Sequence, residues 1–385
     1  MPSVPPYTAA VRSPGPHGVA VQWRSGRQLS KSVVLLKIVS AGVCGTDLAL
    51  ITGARAGQAE VLGHEGVGVV AYTPEACGIL RGTRVIINPV HDKSPGDVIG
   101  HSRDGIFSEW FWLEAADASD GGMLVPCPRD CPLENAELAL TEPIASVLYS
   151  LELLKKNGAR KLLLIRGSGT VAIVAAKLWM KLTGAAAIMA SKSATHARWL
   201  QQAVEWPVGV SICHIEKLPE LIRELGRGEP DAGILCCSRE AAPEGLRCLL
   251  DSVKPGAAID LMAGFPAEHR EERLGDVPLD RIRWNNIRGR NSGPPTAVAD
   301  RMSKKTVYLL GHRGTSQRHI VEAIDRLSRK VISGGDLPHR TVSIAELPDA
   351  IRQMVLRPST PTNWVKTLVA FSNENIDELT QCQSR

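Results

Sequence analysis

Apolar positions fall into two regimes along the chain. Between residues 33 and 112, short runs rich in β-branched and aromatic residues are separated by turns: 33–38, 68–72 (stopped by Pro74), 85–89 and 107–112. Their lengths and partial alternation predict strands. From Ile144 the spacing becomes helical and holds to Lys156, with Asn157-Gly158 as a stop signal. Continuous apolar runs then alternate with helical stretches. Strands are expected at 161–165, 186–190, 233–237 and 257–262, and helices at 171–182, 196–203 and 245–253. That order predicts a parallel sheet covered on both faces. Beyond about residue 315 there remain one helix (319–332), a short strand and a terminal strand (365–371). These are too few for a third domain. The pattern therefore predicts an α/β chain. A mostly-β domain occupies 1–147, a doubly wound domain 148–314, and 315–385 returns to the first.

Composition narrows the function classes. The 385 residues are 44% apolar and 22% charged, as in an ordinary globular protein. The net charge of +5 is spread without a basic block, which gives no reason to expect a nucleic acid partner. Nine scattered cysteines do not form a disulfide framework and are expected to be reduced, in a cytoplasmic protein. The first eighteen residues lack the apolar core of a signal peptide, and no apolar stretch is long enough to span a membrane.

The most informative chemistry is the pair Cys44-Gly45-Thr46-Asp47 and, twenty residues on, Gly63-His64-Glu65-Gly66. A thiolate, an imidazole and a carboxylate are ligands that zinc accepts readily, and three protein ligands leave a position open for chemistry. Taken singly, Cys44 would read as core and His64 as a satisfied side chain. Their joint spacing selects Cys44, His64 and Glu65 as metal ligands. Glu142 opens the helix leading into the second domain, where a carboxylate is favoured by the helix dipole. It is also a candidate fourth ligand, or a partner of the metal-bound water.

Gly167-Ser168-Gly169-Thr170-Val171-Ala172 follows an expected strand and opens an expected helix. In that context the glycines permit a tight turn and the close approach of a pyrophosphate, which rests on the helix N-terminus. The next strand ends in Ala190-Ser191-Lys192, without a carboxylate to accept from the adenosine ribose. A hydroxyl beside a cation suits a 2′-phosphate, so NADP(H) is expected, with NAD(H) as the alternative. His196 and Arg198 stand close behind.

These residues resemble the zinc-dependent alcohol dehydrogenases of the medium-chain dehydrogenase/reductase superfamily. The resemblance extends through Gly82 to Val85, Asp104-Gly105 with Glu109, and Lys254-Pro255-Gly256, and so covers most of the chain. Glu142-Pro143 is most similar to the polyol, sugar and threonine dehydrogenase branch. The resemblance implies a GroES-like catalytic domain, a Rossmann nucleotide domain, and hydride transfer between an alcohol or ketone and the nicotinamide. Thr46 would bond the substrate alcohol and relay its proton. Glu65 would bind zinc directly or exchange with water. Gly167, Gly169, Thr170 and Val171 would line the pyrophosphate, and Met262 to Gly264 would run beside the nicotinamide. It also implies a homodimer or homotetramer.

Three departures stand out. Residues 90–97, where many relatives hold a second, structural zinc on four cysteines, contain none, so one catalytic zinc per chain is expected. Ala49 stands where many relatives place a relay histidine. Residues 284–295 are unlike the usual family sequence and read either as a polar surface insertion or as a loop whose arginines meet an acidic substrate. Two other functions compete with the main one. A nucleotide-binding relative without catalysis would not need the intact Cys44, Thr46, His64 and Glu142. A zinc-free quinone or enoyl reductase would not need Cys44 and His64.

Overall fold

Alternate residues of one long strand feed two different cores. This strand, Val33–Gly42, is buried along its whole length. Val34, Leu36 and Ile38 join the main core of the first unit, while Val33 and Leu35 pack with Trp110 in a second. Beyond Ile38 the parity shifts and Ala41 enters the main core, because the register with the neighbouring strand slips between Ile38 and Ser40. Such a bulge bends a strand and re-aims the residues after it. Here it directs the segment that ends in Val43 and Cys44.

The computed structural model describes residues 2–13, 18–266, 269–291, 294–356 and 365–372. The chain forms two compact units. The first comprises Met1–Glu142, Ile320–Ser328 and His339–Arg385. It opens with an antiparallel hairpin, β1 (Tyr7–Arg12) and β2 (Val19–Arg24), in a stretch where the sequence pattern predicted no strands. Its main sheet contains β3 (Val33–Gly42), β4 (Glu65–Tyr72), β5 (Arg84–Ile87), β6 (Trp110–Glu114) and β7 (Leu124–Pro126). Helix α1 (Gly45–Ile51) follows β3 directly. The C-terminal strands His339–Ser343 and Lys366–Ala370 join this sheet. Lys366–Ala370 pairs with Ser40 to Gly42, and β6 pairs with Val33 to Lys37, both antiparallel to β3. The fourth expected strand begins three residues late. Phe107 instead donates its backbone N–H to Leu62, and its ring fills the space left by Gly63, where a Cβ would lie 2.5 Å from Phe107 Cδ1.

The segment expected to lack a second metal is tied by charge. The Arg103 guanidinium pairs with Asp97 and, at 2.7 Å, with Asp117. Asp117 also faces His91 Nε2 at 3.3 Å.

The second unit comprises Pro143–His319 and Arg329–Pro338. Helix α2 (Thr141–Lys156) leads into it. The alternation continues with β8 (Leu162–Arg166), α3 (Thr170–Thr183), β9 (Ala186–Ser191), α4 (Ala194–Ala203), β10 (Val210–His214), α5 (Leu218–Leu225), β11 (Ala232–Leu235), α6 (Ala242–Ser252) and β12 (Ala258–Leu261). Two further strands, β13 (Thr296–Ala299) and β14 (Thr306–Leu310), complete a seven-stranded sheet of order β10-β9-β8-β11-β12-β14-β13. All neighbours are parallel except β13 against β14. This is the doubly wound order, whose switch point lies beside β8. Leu246, Leu249 and Leu250 of α6 pack with sheet residues such as Leu164, Ile188 and Ile259 in one core. Residues 172–179 of α3 are all buried.

Residues 284–291 fold as part of the second unit, with Trp284 and Arg290 exposed. Asn286–Ile287 and Arg290–Asn291 form a small hairpin. Asn286 and Arg288 are buried within it, and Arg288 Nε donates to the Thr315 carbonyl at 3.2 Å. The remaining residues of that segment include Ser292 and Gly293, which lie outside the described residues. Among the described residues no helix is long and apolar enough to cross a membrane.

Candidate active site

Cys44 is the N-cap residue of α1, held there by the Asp47 carboxylate, which accepts from the Cys44 backbone N–H at 2.8 Å. The other Asp47 oxygen accepts from Gly63 N–H at 3.2 Å and lies 3.3 Å from His64 Nδ1. One buried carboxylate thus fixes the backbone at both candidate ligand motifs and faces the outer nitrogen of the imidazole. Carboxylate–histidine pairs of this kind orient the ring of a metal ligand and raise its basicity. His64 Nε2 is turned to Glu65, 4.0 Å from Oε1. Ligand atoms of Cys44, His64 and Glu65 all lie within 4.8 Å of one another.

The donor set fits a zinc ion. Burial pushes the Cys44 thiol up, the Glu65 carboxylate adds to this, and His64 opposes it. Burial disfavours the imidazolium of His64, yet Asp47 and Cys44 outweigh it, and the net direction is well upward. Ligands that hold protons this firmly release them when a metal binds, which ties affinity to pH.

Glu65 also has a partner that the sequence did not suggest. Lys366, from the C-terminal strand, donates to Glu65 Oε2. Both residues are buried. Gly42, on the strand between them, leaves the room: a Cβ there would lie 2.8 Å from Lys366 Cε and 3.1 Å from Glu65 Oε2. Removing one member of a buried pair strands the other charge, at a cost of about 3–5 kcal/mol. Lys366→Met in metal-depleted protein is therefore expected to lower stability by about that amount. The added change Glu65→Gln should restore most of it. Urea unfolding curves measure both, and a single variant as stable as wild type would mean that Lys366 does not hold Glu65. His101 is a further neighbour missed in the sequence, its ring edge-on to His64 at 4.8 Å between centroids.

The other expected site residues are placed as follows. Thr46 is half-buried in the first turn of α1. Glu142 is buried in the first turn of α2 and does not join the group of three candidate ligands. Gly167 follows β8 directly, close to the end of β11, and a Cβ would meet the Cys236 carbonyl oxygen at 2.8 Å. Gly169 is the N-cap of α3, uncapped by any side chain, with open space where a Cβ would stand. Thr170 and Val171 follow in the first helical turn, half-buried. Free backbone N–H groups beside an open glycine suit a phosphate. Met262 is half-buried just beyond β12, and Gly264 lies against the Arg239 guanidinium. Ser191 is buried, and its hydroxyl is engaged by the backbone of Ser193 at 3.2 Å in both directions. Lys192 is exposed and donates to Glu244 in the first turn of α6. The strand end around Lys192 carries no carboxylate of its own; the sheet brings one from 52 residues away.

Comparison with known proteins places these features in context. Residues 30–121 match the alcohol dehydrogenase GroES-like domain. The L-threonine 3-dehydrogenase of Thermococcus kodakarensis is 24% identical over 67% of this chain and 75% of its own length. The glucose 1-dehydrogenase of Thermoproteus tenax is 28% identical over 66% of this chain and 74% of its own. The solved structure of Escherichia coli L-idonate 5-dehydrogenase superposes with a TM-score of 0.69 at 17% identity, covering 96% of this chain and 99% of that one. That likeness is one of fold.

Proposed function

We propose that this chain, which belongs to the zinc-dependent alcohol dehydrogenase family of the medium-chain dehydrogenase/reductase superfamily, interconverts a secondary alcohol and its ketone with NADP(H), on a polyol, sugar or cyclitol-like substrate. The observation that carries the reading is the convergence of Cys44, His64 and Glu65 with Asp47 behind the imidazole. Cys44 and His64 hold the metal. Glu65 binds it or yields to water, with Lys366 competing for the same carboxylate. Glu142 acts on the site from its helix terminus, directly or through water. When bound, zinc supplies Lewis acidity and the nicotinamide carries the hydride chemistry. Thr46 orients the substrate hydroxyl and takes its proton. Gly167, Gly169, Thr170 and Val171 hold the pyrophosphate, and Met262 to Gly264 flank the nicotinamide. The turn formed by Ser191 presents Lys192 towards the adenosine ribose. The substrate class rests on Glu142-Pro143 and on the two relatives named above, a threonine and a glucose dehydrogenase. The protein works as a homodimer or homotetramer in the cytoplasm.

Two measurements test this. Elemental analysis should find one zinc per chain, because the described residues offer one complete ligand group; two tightly bound zinc ions would contradict it. Initial rates on a panel of polyols, sugars and cyclitols should give a higher kcat/KM with NADP+ than with NAD+. No turnover on any alcohol by the zinc-loaded protein would favour a non-catalytic nucleotide-binding role.

A further inference from the structure

The last residue of β8, just before the glycine loop, is Arg166. Its side chain is 2% exposed. It passes beneath α6, where a Cβ on Gly245 would lie 3.2 Å from Arg166 Cγ. Nη1 donates to the Ala190 carbonyl at 3.2 Å, next to the end of β9. Nε and Nη2 are buried and find no oxygen or nitrogen acceptor; the polar side chain within reach is the weakly accepting Cys248 thiol. A guanidinium is always charged and offers five donors, so burying it with donors idle is costly.

Its immediate surroundings do not neutralise it. The thiols of Cys236, Cys237 and Cys248 stand close enough to feel its charge. Burial pushes all three up, Cys237 to about 11, so they are neutral at pH 7. One carboxylate that feels Arg166 is Glu244, which is bonded to Lys192 on the surface; buried Asp260 acts on the same Cys236 thiol as Arg166. Two cations therefore share one carboxylate at the C-terminal ends of β8 and β9. In doubly wound sheets this is the end where the adenosine ribose lies. The pyrophosphate belongs at the helix terminus after Gly169, one strand end away from the Ala190 carbonyl that Arg166 reaches.

We propose that Arg166 anchors the 2′-phosphate of the nucleotide, and that Glu244 is a displaceable carboxylate that occupies Lys192 until the phosphate replaces it. The phosphate would accept from Arg166 Nε and Nη2 and from Lys192, and a dianion balances the two cations better than one carboxylate. The inference rests on the NADP(H) reading above. It assigns the discrimination to a residue before the glycine loop and to one on α6, rather than to Ser191, whose hydroxyl is taken by the backbone.

The test is calorimetric and needs no turnover. Wild type, Arg166→Met, Arg166→Lys and Glu244→Gln are each titrated with adenosine 2′,5′-bisphosphate and with 5′-AMP. Wild type should prefer the bisphosphate. Arg166→Met should reduce that preference about tenfold or more while leaving AMP binding nearly unchanged, and Arg166→Lys should keep part of it. Glu244→Gln should strengthen bisphosphate binding several-fold and leave AMP alone. A wild type that does not discriminate, or a folded Arg166→Met that keeps the full ratio, overturns the proposal. So does a Glu244→Gln that weakens both nucleotides, since Glu244 would then be a ribose ligand. If Arg166→Met fails to fold, Arg166→Lys and Glu244→Gln decide. Discrimination with the expected shifts but no alcohol turnover would sink the dehydrogenase activity and leave this site standing.

Discussion

Replacing His64 with alanine is expected to strip the metal and, with it, nearly all turnover. The imidazole is buried, its outer nitrogen faces Asp47, and its inner nitrogen faces Glu65 within the ligand group. No other side chain in that group offers nitrogen. Lewis-acid stabilisation is worth several kcal/mol, so the rate should fall on the order of 10³-fold or more. Nucleotide affinity should stay close to wild type, because the glycine loop belongs to the other compact unit. Zinc content by elemental analysis, turnover and nucleotide titration read the three effects separately. A graded control is available at Asp47, where Asn keeps the shape but loses the charge behind the ring; metal affinity should drop about 10–100-fold. Normal turnover by His64→Ala would remove the zinc assignment altogether.

Changing Thr46 to alanine should do the opposite to the metal and nearly as much to the rate. The residue lies in the turn that carries Cys44 but is not one of the three ligands, so zinc should remain. Positioned acid–base groups contribute about 10²–10⁴-fold, and a loss of that size is expected in kcat/KM. The neighbouring position that could have shared the work is Ala49, which has no ionisable group. Thr46→Ser keeps the hydroxyl and should recover most of the rate. A rate for Thr46→Ala within about twofold of wild type would be far below that range and would move the proton path to another group.

Some of this site was readable before any coordinates. Cys44 with His64-Glu65, and Gly167 with Gly169, are local signals: a few residues whose turn chemistry and donor types are set by their immediate neighbours. Most of the helix–strand alternation from 144 to 262 was readable for the same reason, since those elements carry their own periodicity, the strand Val210–His214 and the helix Leu218–Leu225 excepted. Element ends moved by a few residues, where hydrogen bonding outside the element decides. Phe107 is an example, drawn to the Gly63 turn and out of the expected strand. The strands Val210–His214 and Thr296–Ala299 were missed because their own residues are short and half-polar, and only the neighbouring strand makes them strands.

The sequence by itself determined the chemistry available: which residues can ligate a metal, which loop can cradle a phosphate, and that no four-cysteine cluster exists near residue 95. The tertiary structure alone decided what stands beside those groups. Lys366 meets Glu65 across 301 residues because two strands share β3. Glu244 meets Lys192 across 52 residues. Arg166, which in sequence is one more residue of an apolar strand, becomes a buried cation with idle donors. For Lys366 with Glu65 and for Arg166 the physical reason is the same. Burial strengthens every charge–charge interaction and makes every unmet one costly, and burial is a property of the packed sheet rather than of any segment within it.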